Sequence, residues 1–100
     1  MIRLTLAVGN IAFTDERLSM AQWKQRKQHT PYGGIPTLTV DGFEMAQSLP
    51  ILQCCGKLAG LYPSDPLKAF QVDEVVNTVQ EFSSYALEYS SIFKVLKSAY

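Results

Sequence analysis

The longest regular pattern in the sequence lies in its last third, where apolar residues recur every three or four positions. This spacing places the residues along one side of an α-helix and predicts a single long amphipathic helix. The members of the pattern are Val72, Val75, Val79, Phe82, Ala86, Tyr89, Phe93 and Leu96. Since such an apolar side needs a covering surface, we expect a partner helix from a second copy of the chain.

The middle of the chain combines a short run of apolar and β-branched residues with a strong turn signal. Thr37–Val40 alternates threonine with leucine and valine, and Asp41-Gly42 follows directly. Two-residue hairpin turns prefer Asp-Gly, because both turn positions need a left-handed backbone. Residues 43–45 then supply a returning strand, so the pattern predicts a β-hairpin.

The first part of the chain predicts a short helix and a strand. Residues 2–8 are apolar and rich in helix formers, and Gly9-Asn10 is a suitable helix end. Residues 11–18 alternate well enough for a strand, with Phe13 and Leu18 directed inward.

Two further helices flank the hairpin. Ser19 is a candidate N-cap for a helix that runs to about Gln28. Gln47-Ser48 precedes an apolar run with Pro50 in its first turn, which predicts a helix over residues 48–61. The apolar residues of that second helix fall on one face, and they are Leu49, Ile51, Leu52, Cys55 and Leu58.

Composition and charge narrow the function classes. The chain has 100 residues, 47% hydrophobic residues and a formal net charge of zero. The hydrophobic fraction is typical of a folded chain, and the net charge indicates no preference for binding nucleic acid or anionic membranes. No apolar run is long enough to span a bilayer, and no secretory leader pattern is present, so we expect a cytoplasmic protein. Cys54 and Cys55 are adjacent, without a CxxC or metal-ligand spacing, and we interpret both as reduced packing residues without a metal.

Three local features suit the binding of a small, acidic peptide. An extended peptide can pair with the main chain of Ile35 if the bond to Pro36 is cis, although only about 5–6% of such bonds are. Ser48 lies at a predicted helix N-terminus, which favours a carboxylate, although a plain N-cap serine is the simpler interpretation. Trp23 and Lys27 are four residues apart on one helix face, where an indole N–H and an ammonium can reach another carboxylate, although a tryptophan packed over a lysine stem is a common arrangement without such a role.

The segment from Gly33 to Ser48 resembles the glutathione-binding half of the glutathione S-transferases, in which a G-x-P segment, a hairpin and a Gln-Ser pair hold the tripeptide. Trp23 and Lys27 lie where the sigma-like members keep a tryptophan and a lysine. Downstream, the sequence from Asp65 looks like the entry to the all-helical second domain of that family. The resemblance covers nearly the whole chain.

The resemblance implies an α/β fold: a thioredoxin-like domain that lacks its first strand, over residues 1–62, and the start of an all-helical C-terminal domain over residues 63–100. A linker at Tyr62-Pro63-Ser64-Asp65-Pro66 separates the two. The family's thiol-activating tyrosine or serine lies in a loop before the first helix, and this chain has no matching residue. We therefore name no catalytic residue.

The resemblance also assigns roles in glutathione binding. Gln47 and Ser48 would hold the α-carboxylate of the γ-glutamyl group, Ile35 before cis-Pro36 would pair with the cysteinyl main chain, and Trp23 and Lys27 would contact the glycine end. A weaker candidate is Glu81, which lies near the point where relatives place an aspartate that crosses the dimer to the ligand's ammonium. These six residues and Glu81 form the predicted site.

The implied function is conjugation of the glutathione thiolate to electrophiles, in detoxification and glutathione metabolism, by a cytoplasmic homodimer. An isomerase that uses glutathione as a cofactor is a close variant. An alternative from another class is a glutathione-binding or dimerising module without turnover. A glutaredoxin-type thiol reductase is disfavoured, because its nucleophilic cysteine opens the first helix, whereas Cys54 and Cys55 follow the hairpin.

Overall fold

A computed structural model describes the backbone of residues 1–99, and the side chains of these residues except 92, 93, 95–97 and 99. The chain divides into two compact units, one formed by Met1–Tyr62 and one that begins at Pro63. The first unit contains, in chain order, α1 (Ile2–Val8), α2 (Met20–Arg26), a 3₁₀ turn (Lys27–His29), β1 (Thr37–Val40), β2 (Phe43–Ala46) and α3 (Ser48–Leu58). The second unit contains α4 (Pro66–Ala99).

The predicted hairpin is confirmed. β1 and β2 pair antiparallel, with Thr37 opposite Ala46 and Val40 opposite Phe43. Asp41 and Gly42 both adopt a left-handed backbone, with φ of 49° and 79°, as a type I′ turn requires. The turn therefore fixes the register of both strands.

The core lies on one face of this hairpin, beneath α1 and α3. Leu6 of α1 and Ile51 and Cys55 of α3 are buried. Leu38 and Met45, which oppose each other in the ladder, pack against them. Residues on one face of a strand pair alternate, so the facing pair presents its side chains to α3 together.

Local sequence signals set the helix ends of the first unit. The Ser19 side chain accepts from the Gln22 backbone N–H, and the Gln22 side chain accepts from the Ser19 backbone N–H at 2.8 Å, which completes a capping box. α1 ends at Gly9 as predicted. α3 ends at Leu58, three residues earlier than predicted, and Gly60 follows with a φ of 70°.

The strand predicted over residues 11–18 is wrong. The segment forms no ladder, and Phe13 and Leu18 are 39% and 37% exposed rather than directed inward. A strand exists only where a second strand pairs with it, and in the described residues the only ladder joins β1 to β2. Instead, Asp15 anchors the segment, since its carboxylate accepts from Arg3 at 2.6 Å and from Arg17 at 3.0 Å.

This ion cluster predicts an acid-dependent contribution to stability. The hydrogen bond from Arg17, followed by that from Arg3, holds the pKa of Asp15 below its usual value of 3.8. A depressed carboxyl pKa stabilises the fold above the unfolded-state pKa, and the effect disappears as pH falls through the folded-state pKa. We expect Asp15→Asn to lower the unfolding midpoint at neutral pH but to match the unsubstituted protein once the pH is well below 3.8.

Thermal melts from pH 7 to pH 2 would check this dependence. The control is Glu16→Gln, which changes an exposed carboxylate in the same segment as Asp15. Asp73→Asn is not a suitable control, because Asp73 has interactions of its own. A constant gap between Asp15→Asn and the unsubstituted protein across the whole range would contradict the assignment.

The second unit confirms the predicted long helix. The Asp65 carboxylate accepts from the Lys68 backbone N–H at 3.0 Å and caps the start of α4. Of the predicted apolar stripe, Val75, Val79, Phe82 and Tyr89 are exposed. The side chains of Phe93 and Leu96 lie outside the described ones. Among the described residues, no helix combines the length and apolar character needed to cross a membrane.

Candidate functional site

The open end of the hairpin brings two predicted site segments together. The register opposes Thr37 to Ala46. Pro36 directly precedes Thr37, and Gln47 directly follows Ala46, so both residues lie at the open end of the hairpin. Ser48 then begins α3. The Ile35-Pro36 segment and the start of α3 are therefore neighbours at one end of the hairpin.

The Ile35-Pro36 peptide bond is cis, which confirms the sequence-based expectation. The Ile35 residue is 67% exposed although it is a large apolar residue at the entry to β1. Pro36 is also exposed. The backbone at this point is thus accessible to an extended ligand.

Gln47 adopts a backbone conformation that a non-glycine residue rarely takes. Its φ is 74° and its ψ is 118°, and such residues persist only where the surrounding structure imposes them, often at binding sites. The Gln47 carbonyl accepts from the Ile51 backbone N–H at 3.1 Å, whereas its side chain does not cap α3 and is exposed. The amide side chain is therefore available to a ligand.

Ser48 is the first residue of α3 and is half-buried. The N-terminus of a helix carries a partial positive charge and N–H groups that point out of the helix. Pro50, the third residue of α3, has no N–H to contribute. The start of α3 therefore has the charge and the donors that suit a carboxylate, and the binding role of Ser48 stays a prediction.

Trp23 and Lys27 precede the loop that leads to Ile35. Trp23 is half-buried in α2, and Lys27 begins the 3₁₀ turn. A Cβ atom added at Gly33 would lie 3.9 Å from Cε of Lys27, so the lysine stem passes close to this glycine. Gly33 has a φ of 64°, which a side chain would disfavour. The end of the Lys27 side chain therefore lies near Gly33, two residues before Ile35.

Two contacts that position the candidate site differ in whether the sequence indicates them. Arg26 of α2 donates to the Glu44 carboxylate of β2 at 3.3 Å, and this contact ties the helix of Trp23 to the hairpin. The pair is 18 residues apart in sequence, so no local pattern indicates it. The close approach of Lys27 to Gly33 has a weak signal in the Gly33-Gly34 pair, which marks a tight turn.

Glu81, the weaker candidate, belongs to the second unit. It is exposed on α4 and lines a shallow hollow on that helix, together with Ser84, Tyr85, Leu87, Glu88 and Ser91. The hairpin belongs to the first unit, so the role of Glu81 at the hairpin end stays a prediction.

The cysteines pack in α3. Cys55 is buried, and this burial, followed by the neighbouring Cys54, raises the pKa of the Cys55 thiol. A buried thiol with a raised pKa remains protonated near neutral pH and is a poor nucleophile. Cys54 is half-buried, and both cysteines are free. In the described part of the chain, no three His, Cys, Asp or Glu residues come together as a metal site would require.

Comparison with known proteins finds curated proteins that are similar to this chain over most of its length. No family model matches the chain. The chain is 36% identical over 88 residues to glutathione S-transferase 2 of Manduca sexta, covering 86% of this chain and 43% of that protein. It is 37% identical over 84 residues to the hematopoietic prostaglandin D synthase of Rattus norvegicus, covering 84% of this chain and 42% of the relative. The chain therefore spans about two-fifths of the length of the curated relatives it matches.

Solved structures agree in fold. Monomeric Na-GST-3, a glutathione S-transferase from the hookworm Necator americanus, superposes with a TM-score of 0.76 at 30% identity, covering 83% of this chain and 40% of that chain. The glutathione S-transferase from Ascaris lumbricoides gives the same TM-score at 34% identity, again covering 83% of this chain and 40% of that one. The two-stranded sheet and its helices thus match part of a larger fold.

Proposed function

We propose that this chain, which is similar to glutathione S-transferases over more than four-fifths of its length, binds glutathione at the open end of its hairpin for conjugation to an electrophile. The observation that supports the proposal is the β1–β2 register, which brings the residues before Thr37 and after Ala46 to the same end of the hairpin. A short peptide that lies along this end meets an accessible main chain at Ile35 and a helix N-terminus at Ser48.

Each chemical group of glutathione has a matching set of residues in the proposed site. Its γ-glutamyl α-carboxylate suits Ser48 and the helix N-terminus, with Gln47 as a further hydrogen-bond partner. Its central cysteinyl main chain suits the backbone of Ile35, in the manner of a short added strand. Its glycine carboxylate suits Trp23 and Lys27, which supply an indole N–H and an ammonium.

Local charge rather than overall charge provides the attraction in this proposal. The formal net charge of the chain is zero, so long-range steering of an anionic peptide is weak. The two carboxylates of the ligand each meet a positive group, namely the α3 dipole end at Ser48 and the Lys27 ammonium. This arrangement supports recognition of a peptide with acidic groups at both ends.

In the conjugation step, the glutathione thiolate attacks an electrophilic carbon, an S–C bond forms, and the leaving group departs with the electron pair. The thiolate is the reactive form, so the reaction depends on a lowered thiol pKa. We assign that activation to no residue of this chain. A module that binds glutathione without turnover is the second candidate, and an aryl halide assay run beside the binding measurement separates the two.

The Lys27→Gln substitution tests the binding mode. We expect it to weaken glutathione binding by a factor of ~5, about 1 kcal/mol, because an exposed charge pair with the glycine carboxylate is lost. Trp23, the only tryptophan, reports binding through its fluorescence. Lys24→Gln removes an exposed charge from the adjoining helix α2 and serves as the matched control.

A ligand without the glycine charge sharpens this test. Glutathione esterified at its glycine carboxylate lacks that negative charge, so Lys27→Gln should leave its affinity unchanged while it weakens that of glutathione. Equal losses for the two ligands, or equal losses in Lys24→Gln and Lys27→Gln, would contradict the proposed role of Lys27. Glutathione that produces no saturable fluorescence change in the unsubstituted chain would overturn the function itself.

We further propose a cytoplasmic role in detoxification, as a homodimer paired along α4 with Glu81 directed to the ligand of the partner. The exposed stripe of Val75, Val79 and Phe82 supports such pairing. The hookworm relative is described as monomeric, so sedimentation of this chain is the direct measurement. An isomerase activity that uses glutathione as a cofactor is the variant to assay alongside conjugation.

A further inference from the structure

One ion pair joins two segments of the proposed glutathione site. Nη2 of Arg26 donates to Oε1 of Glu44 at 3.3 Å. Arg26 is the last residue of α2, and Lys27 follows it directly in the chain. Glu44 lies in β2, the strand that ends directly before Gln47. The ion pair therefore connects the segment that carries Lys27 to the strand that leads into the start of α3.

The alternation of side chains along β2 shows which face of the hairpin the ion pair uses. Leu38 and Met45 pack against the buried core that residues of α1 and α3 form. Successive residues of a strand project to opposite faces, so Glu44 projects from the face of β2 that is opposite to Met45. The contact with Arg26 therefore holds the end of α2 at the face of the hairpin opposite to α3. The hairpin lies between the segment of Lys27 and α3.

A small peptide that is bound at both ends depends on the distance between its two binding groups. Once one end is bound, the second end meets its own group at a high effective concentration, and this gain is lost where the spacing does not match. In the proposed site these groups are the start of α3 and the Lys27 ammonium. A contact that fixes the segment of Lys27 relative to β2 therefore affects how well the second carboxylate is bound.

The exposure of the ion pair indicates a role in local position rather than in overall stability. The Arg26 side chain is 44% exposed and the Glu44 side chain is 25% exposed. Ion pairs with this degree of exposure contribute little to the free energy of folding. Removing the pair should therefore leave the fold intact while it allows the adjoining Lys27 to move.

We propose that Arg26 and Glu44 are positioning residues for glutathione, a role that rests on the proposed function. Their ion pair sets the distance between Lys27 and the start of α3. The site then favours a short peptide whose two terminal carboxylates match this separation. Neither Arg26 nor Glu44 contacts the ligand in this arrangement, and both act through Lys27.

Calorimetric titration of the full chain with glutathione tests the role, because the heat of binding does not depend on the surroundings of Trp23. Arg26→Gln and Glu44→Gln should each weaken binding about threefold. The direction of the second effect separates positioning from charge, since removing a negative charge near an anionic ligand would otherwise strengthen binding. Arg26→Lys should keep most of the affinity, because an ammonium can also donate to the Glu44 carboxylate.

A double-mutant cycle shows whether the ion pair acts through Lys27. Adding Arg26→Gln to Lys27→Gln should weaken glutathione binding no further, because the group that Arg26 positions is already removed. Glutathione esterified at its glycine carboxylate should bind Arg26→Gln, Glu44→Gln and the unsubstituted chain with equal affinity. Lys24→Gln, which removes an exposed charge from α2, should bind glutathione like the unsubstituted chain. Urea denaturation of each variant confirms that it is folded.

Four results would overturn the positioning role. If Lys27→Gln weakens glutathione binding while Arg26→Gln and Glu44→Gln do not, the proposed function stands and the ion pair has no part in it. If Glu44→Gln strengthens binding, the pair acts through charge alone. If the losses from Arg26→Gln and Lys27→Gln add, Arg26 does not act through Lys27. Glutathione that produces no saturable heat with the unsubstituted chain would overturn the proposed function and this role together.

Discussion

Replacing Ile51 with alanine is expected to destabilise the first unit by about 2–5 kcal/mol, the usual cost of removing a large aliphatic side chain from a packed core. Ile51 is 1% exposed, and it joins Leu6 and Cys55 at the point where α1, α3 and the hairpin meet. Alanine leaves a cavity that α3 cannot fill without moving the start of the helix. Small domains have a total stability of this order, so a large part of the population should unfold.

Urea denaturation followed by Trp23 fluorescence measures this loss, since the only tryptophan lies in the first unit. The matched control is Leu58→Ala at the other end of the same helix, where the side chain is 60% exposed. We expect that variant to lose less than about 1 kcal/mol, because most of its apolar surface is already in water. Equal losses for Ile51→Ala and Leu58→Ala would show that Ile51 is not at the centre of the core.

The same substitution links stability to the proposed site. Ile51 donates its backbone N–H to the Gln47 carbonyl, and its side chain anchors the first turn of α3, which begins at Ser48. A cavity beneath that turn should loosen the N-terminus that is proposed to bind a carboxylate. We therefore expect glutathione affinity in the folded fraction to fall as well, because positioning depends on rigid support.

The parts of the fold that the sequence predicted are those with local causes. Asp41-Gly42 specifies its turn through the backbone preferences of two residues. Ser19 caps its helix, as predicted, through the backbone of a residue three positions later. The spacing of apolar residues after Asp65 specifies α4 through the period of the helix alone. Each of these signals lies within one element, so no knowledge of tertiary contacts was needed.

The parts that the sequence did not predict depend on contacts between distant residues. Residues 11–18 alternate like a strand, but pairing decides whether a strand forms, and no ladder includes them. The Arg26–Glu44 contact joins α2 to β2 across 18 positions. The left-handed backbone of Gln47 has no signal, because glutamine is not a residue that favours it. The resemblance therefore predicted the residues of the candidate site. It did not predict the contacts and the backbone conformation that position those residues.

Substituting alanine for Gly9 is expected to destabilise the first unit by about 1–3 kcal/mol through overpacking. A Cβ atom at Gly9 would lie 2.9 Å from Cα of Ala59 and closer still to its Cβ, at distances that real Cβ atoms do not adopt. The Gly9 backbone has a φ of −75° and a ψ of 0°, which alanine tolerates. The cost is therefore steric, and it measures how closely the end of α1 approaches the end of α3.

Gly34→Ala is the matched control, because no atom lies within 4 Å of an added Cβ there and the residue has no left-handed φ. That variant should be neutral or slightly stabilised, by about 0.4–1 kcal/mol, through the reduced freedom of the unfolded chain. The second control is the double variant Gly9→Ala with Ala59→Gly. If the clash is the cause, the two substitutions should couple by at least about 0.5 kcal/mol in a double-mutant cycle. Additive effects would instead show that the cost of Gly9→Ala does not arise from its contact with Ala59.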